Sequence, residues 1–171
     1  MEPGWLDLGH HVHMKQGETA EAHVHVDALP ETVFGVVSDV TRMGEWSPET
    51  VRCDWIGGAN GPEVGARFKG TNKRGLARWS TKPTVIVADP GREFAFDVGT
   101  DTRWTYRFAA EGTGTLLTES FEMLCDIRWY YALVERWLMR VTDRRADLER
   151  GMATTIERIK RVVESEQSEV K

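Results

Sequence analysis

From Glu18 to Asp27 the chain alternates apolar Ala20, Ala22, Val24 and Val26 with Thr19, Glu21, His23 and His25. A period of two sends successive side chains to opposite faces, so the run predicts a half-buried strand. Leu29-Pro30-Glu31 then opens a helix, because proline fits a first turn and a glutamate there complements the helix dipole. Val33, Phe34, Val36 and Val37 supply its apolar side. A second short helix or turn is predicted over Asp39 to Trp46, where Asp39 and Arg42 fix the geometry of the short helices. Ser47-Pro48 closes it, since the residue before a proline is pushed out of the helical region.

Six strand-like runs follow, Val51–Ile56, Ala66–Asn72, Arg78–Ala88, Glu93–Val98, Arg103–Ala109 and Thr115–Met123. Turn sequences such as Asp89-Pro90-Gly91, Gly99-Thr100-Asp101 and Glu111-Gly112-Thr113-Gly114 separate them, which predicts a consecutive antiparallel meander. The Gly-rich stretch Gly57-Gly58-Ala59-Asn60-Gly61 follows no phosphate-loop pattern and leads into Pro62, so it reads as a turn. From about Ile127 the period changes. No proline occurs, and Val141, Leu148, Met152, Ile156, Ile159 and Val163 recur at helical spacing. This is a long amphipathic helix with Gly151 inside it, where a neighbouring backbone or a ligand can approach.

One strand, two short helices, about six more strands and a long terminal helix imply an α+β domain. Its curved antiparallel sheet of about seven strands covers its apolar face with the C-terminal helix. Where sheet and helix curve apart a gap remains, the natural place for a ligand. The expected organisation is a loosely ordered arm over 1–17, one domain over 18–165 and a frayed tail over 166–171. The segment Asp126 to Val141, with Trp129, Tyr130, Tyr131 and Trp137, is apolar enough for a lid, a dimer contact or the start of the long helix.

Composition narrows the function. A length of 171 residues suits one domain with a sizeable core, and a net charge of −5 argues against general affinity for nucleic acid. No apolar run is long enough to span a bilayer and the first residues lack the order of a signal peptide, so a cytoplasmic protein without stable membrane insertion is expected. Cys53 and Cys125 are expected to be reduced. Seven tryptophans suit either a core or the lining of a cavity.

Several segments, in this order, resemble the polyketide cyclase/dehydrase-like branch of the START (Bet v 1-like) superfamily. They are Val36-Val37-Ser38-Asp39-Val40-Thr41-Arg42-Met43-Gly44-Glu45-Trp46-Ser47-Pro48-Glu49, Val64-Gly65-Ala66-Arg67-Phe68-Lys69-Gly70-Thr71-Asn72 and Arg78-Trp79-Ser80. The set continues with Asp89-Pro90-Gly91-Arg92-Glu93-Phe94-Ala95-Phe96, Trp104-Thr105-Tyr106-Arg107-Phe108, and Gly114-Thr115 leading to Thr118-Glu119-Ser120-Phe121. The resemblance implies a helix-grip fold and a pocket for lipids, polyketides or other apolar molecules. It says less about chemistry, because function resides in the site and not in the fold.

Phe68, Phe96, Trp104, Tyr106 and Phe121 are placed to face the helix, opposed by Met152 and Ile156. They either fill a core or line a cavity, with Trp46 closing one end and Trp79 on a face that depends on strand register. Regular alternation points Glu119 inward beside Leu117 and Phe121. A buried carboxylate must be paired or protonated, so Glu119 is either half of an ion pair with Arg78 or Arg107, the favoured expectation, or a tuned acid. Glu119, Tyr106 and Arg78 are therefore the candidates for any proton chemistry. His10, His11, His13, His23 and His25 come without the spacing of a metal site, and neither metal nor cofactor is expected. With all histidines in the first 25 positions, a Ser-His-Asp or Cys-His arrangement is not expected either. Three functions remain: a carrier of a small hydrophobic ligand, an aromatase/cyclase-type enzyme using the same cavity, and a protein-interaction module on the same fold. Oligomeric state, including a homodimer, is left open.

Overall fold

The computed structural model describes residues 15–126 and 144–169. His10, His11 and His13 of the expected arm, and the aromatic segment from Ile127 to Val141, lie outside the described residues.

Eight strands form one antiparallel sheet: β1 (Thr19–Val26), β2 (Thr50–Ile56), β3 (Arg67–Arg74), β4 (Ala77–Thr81), β5 (Thr84–Asp89), β6 (Glu93–Val98), β7 (Thr102–Glu111) and β8 (Gly114–Met123). The hydrogen-bonded order is β1-β8-β7-β6-β5-β3-β2, with β4 paired to β3 off this path. Between β1 and β2 lie helix α1 (Pro30–Ser38) and a 3-10 helix (Val40–Glu45), and helix α2 (Arg144–Glu169) covers the concave face. This is the helix-grip arrangement that the element order implied.

The run Arg78–Ala88, read from sequence as one strand, is two. Pro83 interrupts it because proline has no N–H to give to a ladder. The Pro83 carbonyl still accepts from the Phe68 N–H at 3.2 Å, while β4 stays on β3 and β5 turns to β6. The sheet therefore has eight strands where about seven were expected. Helix α2 continues to Glu169.

On β8 the inward positions Thr115, Leu117, Glu119, Phe121 and Met123 are all buried, so the strict alternation expected of this strand holds. Its start crowds β1: a Cβ on Gly114 would lie 2.3 Å from the Val26 carbonyl oxygen, which only glycine avoids. Asp39 caps the 3-10 helix, its Oδ1 accepting from the Thr41 N–H at 3.1 Å and the Thr41 hydroxyl at 2.6 Å.

The C-terminal half of α2 is tightly held. Ile156, Ile159 and Val163 join the main core with Val33, Val37 and Phe94. Lys160 Nζ donates to the His25 carbonyl at 2.7 Å, the Asp27 N–H donates to Glu164 Oε1 at 3.0 Å, and Arg42 pairs with Glu45 and Glu166. The N-terminal half has a different surrounding. There Leu148, Gly151, Met152 and Thr155 face a space that side chains do not fill.

Candidate ligand cavity

That space is a cavity of about 550 Å³, between the concave face of the sheet and the first half of α2. Its size falls within the range of small-molecule sites, roughly 300–1,000 Å³. Register explains which side chains reach it. Phe96 on β6 sits opposite Trp104 on β7, Trp104 opposite Phe121 on β8, and Tyr106 opposite Glu119, so five inward positions converge on one wall. The rings of Trp104 and Phe121 meet edge to face at 5.0 Å, as do Phe68 and Phe96 at 5.2 Å.

Trp46, Phe68, Trp79, Phe96, Trp104, Tyr106, Phe121 and Met152, all expected from the sequence, line this cavity together with Glu119. The open register at Trp79 resolves inward, because Ala77, Trp79 and Thr81 share the inner face of β4 while Arg78 and Ser80 face out. Ile156 is not part of the wall. It is 3% exposed and packed in the core behind it. Arg78 is exposed on the outer face of the β3–β4 hairpin, so it cannot act on a ligand in the cavity.

The ion pair expected for Glu119 does not form. Arg107 follows Tyr106 and therefore points to the other face, where it donates to Glu93 Oε2 at 3.2 Å. The partner is instead Tyr106, whose hydroxyl donates to Glu119 Oε1 at 2.8 Å. Glu119 Oε2 is buried without a hydrogen-bond partner. Burial pushes the Glu119 carboxyl up to about 8, and the Tyr106 bond opposes this only in part. Burial, with Glu119 alongside, also raises the Tyr106 hydroxyl well above its usual range. Burial thus favours the protonated, neutral form of the Glu119 carboxyl.

Sequence reasoning missed the polar end of the cavity. Arg74 donates to Glu49 Oε1 at 2.8 Å and, with both terminal nitrogens, to Asp147 at 2.6 and 2.7 Å. This fork ties β3 to α2 and raises the Arg74 guanidinium, chiefly through the Asp147 bonds. Nearby, the Thr50 hydroxyl donates to Asn72 Oδ1 at 2.8 Å, and Thr155 turns its hydroxyl to the Gly151 carbonyl at 3.0 Å. Arg74 lies beyond the strand run Ala66–Asn72 that the sequence marks, and nothing local points to a partner 73 positions away. Asn72, by contrast, lies at an inward position of a recognised strand and was findable.

Both described cysteines are free thiols. Cys53 lines the cavity, donates to Met43 Sδ at 3.8 Å and is pushed by burial up to about 12, so it is not a nucleophile at neutral pH. His25 is held by Glu111 Oε2 at 2.8 Å and Asp27 Oδ1 at 3.2 Å, contacts that fasten the end of β1 to β7. Among the described residues no cluster of three or more His, Cys, Asp or Glu side chains is placed to hold a metal, and no helix is long and apolar enough to cross a membrane.

Residues 18–164 match the family profile described as polyketide cyclase / dehydrase and lipid transport. The polyketide-cyclase-like protein Cgl2372 of Corynebacterium glutamicum is 32% identical, with a TM-score of 0.61 over 90% of this chain and 96% of that one. The Zhui aromatase/cyclase of Streptomyces sp. R1128 shares the fold at 13% identity and a TM-score of 0.65, over 86% of this chain and 93% of that one. Ginseng major latex-like protein 151 of Panax ginseng shares it at 12% identity and a TM-score of 0.64, over 85% and 96%. A comparison with curated proteins gives no match.

Proposed function

The chain belongs to the polyketide cyclase / dehydrase and lipid transport family, and from that premise we propose that it binds and carries a small hydrophobic molecule in the cavity beneath α2. The observation that carries this reading is the aromatic-walled space of about 550 Å³ itself. A core of this size ordinarily closes around its side chains, since interiors pack as densely as organic crystals. Here Trp46, Phe68, Trp79, Phe96, Trp104 and Phe121 surround a volume that an apolar ligand would fill. Burying that ligand contributes roughly 25 cal/mol per Å² of apolar surface removed from water.

Titration with an apolar fluorescent probe, followed through the quenching of the cavity tryptophans, tests the reading. Saturable binding that Gly151→Trp abolishes while the fold is retained is expected, because the new ring would occupy the cavity. Binding that is unsaturable, or unaffected by that substitution, would overturn it.

A second reading, catalysis of the aromatase/cyclase type, is favoured by one observation: the Tyr106 hydroxyl is bonded at 2.8 Å to Glu119, a buried carboxyl whose surroundings favour its protonated form. It predicts that a polyketide-type probe leaves the protein altered, whereas carriage returns it unchanged. The interaction-module reading calls for a collapsed cavity and one contiguous exposed apolar patch. Among the described residues the exposed large apolar side chains Leu29, Val51, Val64 and Leu76 lie on the loop before α1, on β2, on the loop between β2 and β3 and on the β3–β4 turn, which speaks against it.

A further inference from the structure

Glu119 Oε2 is the one described side-chain oxygen or nitrogen that is buried without a hydrogen-bond partner. Groups that surround it leave it unanswered. Ala22 is opposite on β1, Leu117 and Phe121 flank it on β8, and the Tyr106 hydroxyl is committed to Oε1. Of the uncharged α2 side chains that line the cavity, Leu148 and Met152 are apolar, and the Thr154 and Thr155 hydroxyls are turned to the Arg150 and Gly151 carbonyls. The other titratable or charged lining groups are elsewhere engaged: Cys53 with Met43, and Arg74 with Glu49 and Asp147, beside which Arg150 lies at 3.6 Å.

A buried polar atom without a partner is costly, and natural proteins rarely leave one without a use. Since Oε1 already accepts from Tyr106, the proton of the neutral acid resides on Oε2, which makes Oε2 the donor of a side chain that lines the cavity. A ligand that brings an uncharged acceptor oxygen completes the pair. A ligand carboxylate beside Glu119 would carry a charge in among Ala22, Leu117, Phe121 and Met152, away from Arg150, which is 71% exposed.

We propose that Glu119, held in place by Tyr106, is the polar recognition element of the cavity, donating from Oε2 to a neutral carbonyl oxygen and so selecting ketones or esters over carboxylates. This rests on the reading that the cavity takes an apolar ligand. Tyr106 is a positioning residue, and Glu119 makes the contact.

The test uses three probes of equal chain length: a long-chain methyl ketone, the alkane and the fatty-acid carboxylate. Each is titrated into the wild-type chain, Glu119→Gln and Glu119→Leu. The wild type binds the ketone in preference to the carboxylate. The ratio of ketone to alkane affinity falls about ten-fold in Glu119→Leu, as expected for one lost neutral hydrogen bond, and is kept in Glu119→Gln, whose carboxamide still donates. Ketone affinity in the wild type declines as the pH is raised beyond the Glu119 titration, and in Glu119→Gln it is flat. If Glu119→Leu does not fold, the contrast in pH profile between wild type and Glu119→Gln decides. Unchanged ratios with identical pH profiles would overturn this inference and leave the cavity reading standing. Failure of every probe to bind would overturn both.

Discussion

Tyr106 and Glu119 face each other across β7 and β8 as directly paired residues, and the hydroxyl of one is bound to the carboxyl of the other at 2.8 Å. The bond sits inside an apolar wall, which makes it the electrostatic centre of the cavity. Of the two influences on the acid, burial is the larger and the Tyr106 bond works against it.

Removing the bond should therefore raise Glu119 further. In Tyr106→Phe, carbon-detected NMR of the Glu119 carboxyl is expected to show a titration midpoint above that of the wild type, with a stability loss of about 1–3 kcal/mol because Oε1 also becomes unpaired. A lowered midpoint would contradict the assignment of the Tyr106 bond as the opposing influence.

The same acid makes stability depend on pH in the direction opposite to a salt-bridged carboxylate. Its value in the folded protein, about 8, lies above the usual 4.5, so between these limits the folded state holds a proton that the unfolded chain has released. Stability from this group is full below 4.5, falls as the pH rises toward 8 and is level above. The whole effect is on the order of a few kcal/mol. Denaturant unfolding of wild type and Glu119→Gln across pH 5 to 9 isolates it, since His25, raised mainly by its bond to Glu111, contributes equally to both. Parallel curves would contradict the prediction.

The legible part of this molecule is what local pattern decides. Alternation on β8 placed Glu119 and Phe121 inside, and the helical period of Met152 placed it opposite. Partners depend on register and on contacts across the chain, which period alone does not carry. Glu119 was expected to meet Arg78 or Arg107, yet both lie on the outer face, one residue out of phase with the cavity. The strand break at Pro83 was legible in principle, since a proline cannot serve a central ladder.

Arg74 joins β3 to the half of α2 that borders the cavity, and its two-pronged contact with Asp147 is partly shielded, at 27% and 23% exposure. Arg74→Ala is expected to cost about 1–2 kcal/mol, more than an exposed pair. Amide exchange over Leu148 to Thr155 should quicken while Ile159 to Val163 is unaffected. Arg74→Lys should restore little, because an ammonium cannot bridge both carboxylate oxygens in the plane of a guanidinium.

Gly151 offers the opposite case. A Cβ there would have Pro48 Cγ as its nearest neighbour at 4.0 Å, an ordinary contact, so nothing in the packing excludes a small side chain. Gly151→Ala should stabilise the protein by about 0.5–1 kcal/mol through helix propensity, as read by thermal or denaturant unfolding. A loss of stability would mean that the helix needs the glycine for a reason other than space.

The central claim is that the space beneath α2 is a ligand site, and native mass spectrometry tests it most directly. Protein purified without organic solvent and protein exposed to the ketone and alkane probes are compared with the same samples after organic extraction. The account predicts discrete added masses, one ligand per chain, that extraction removes and that Gly151→Trp prevents. A bare chain in every sample, from cells and with probes alike, would contradict it.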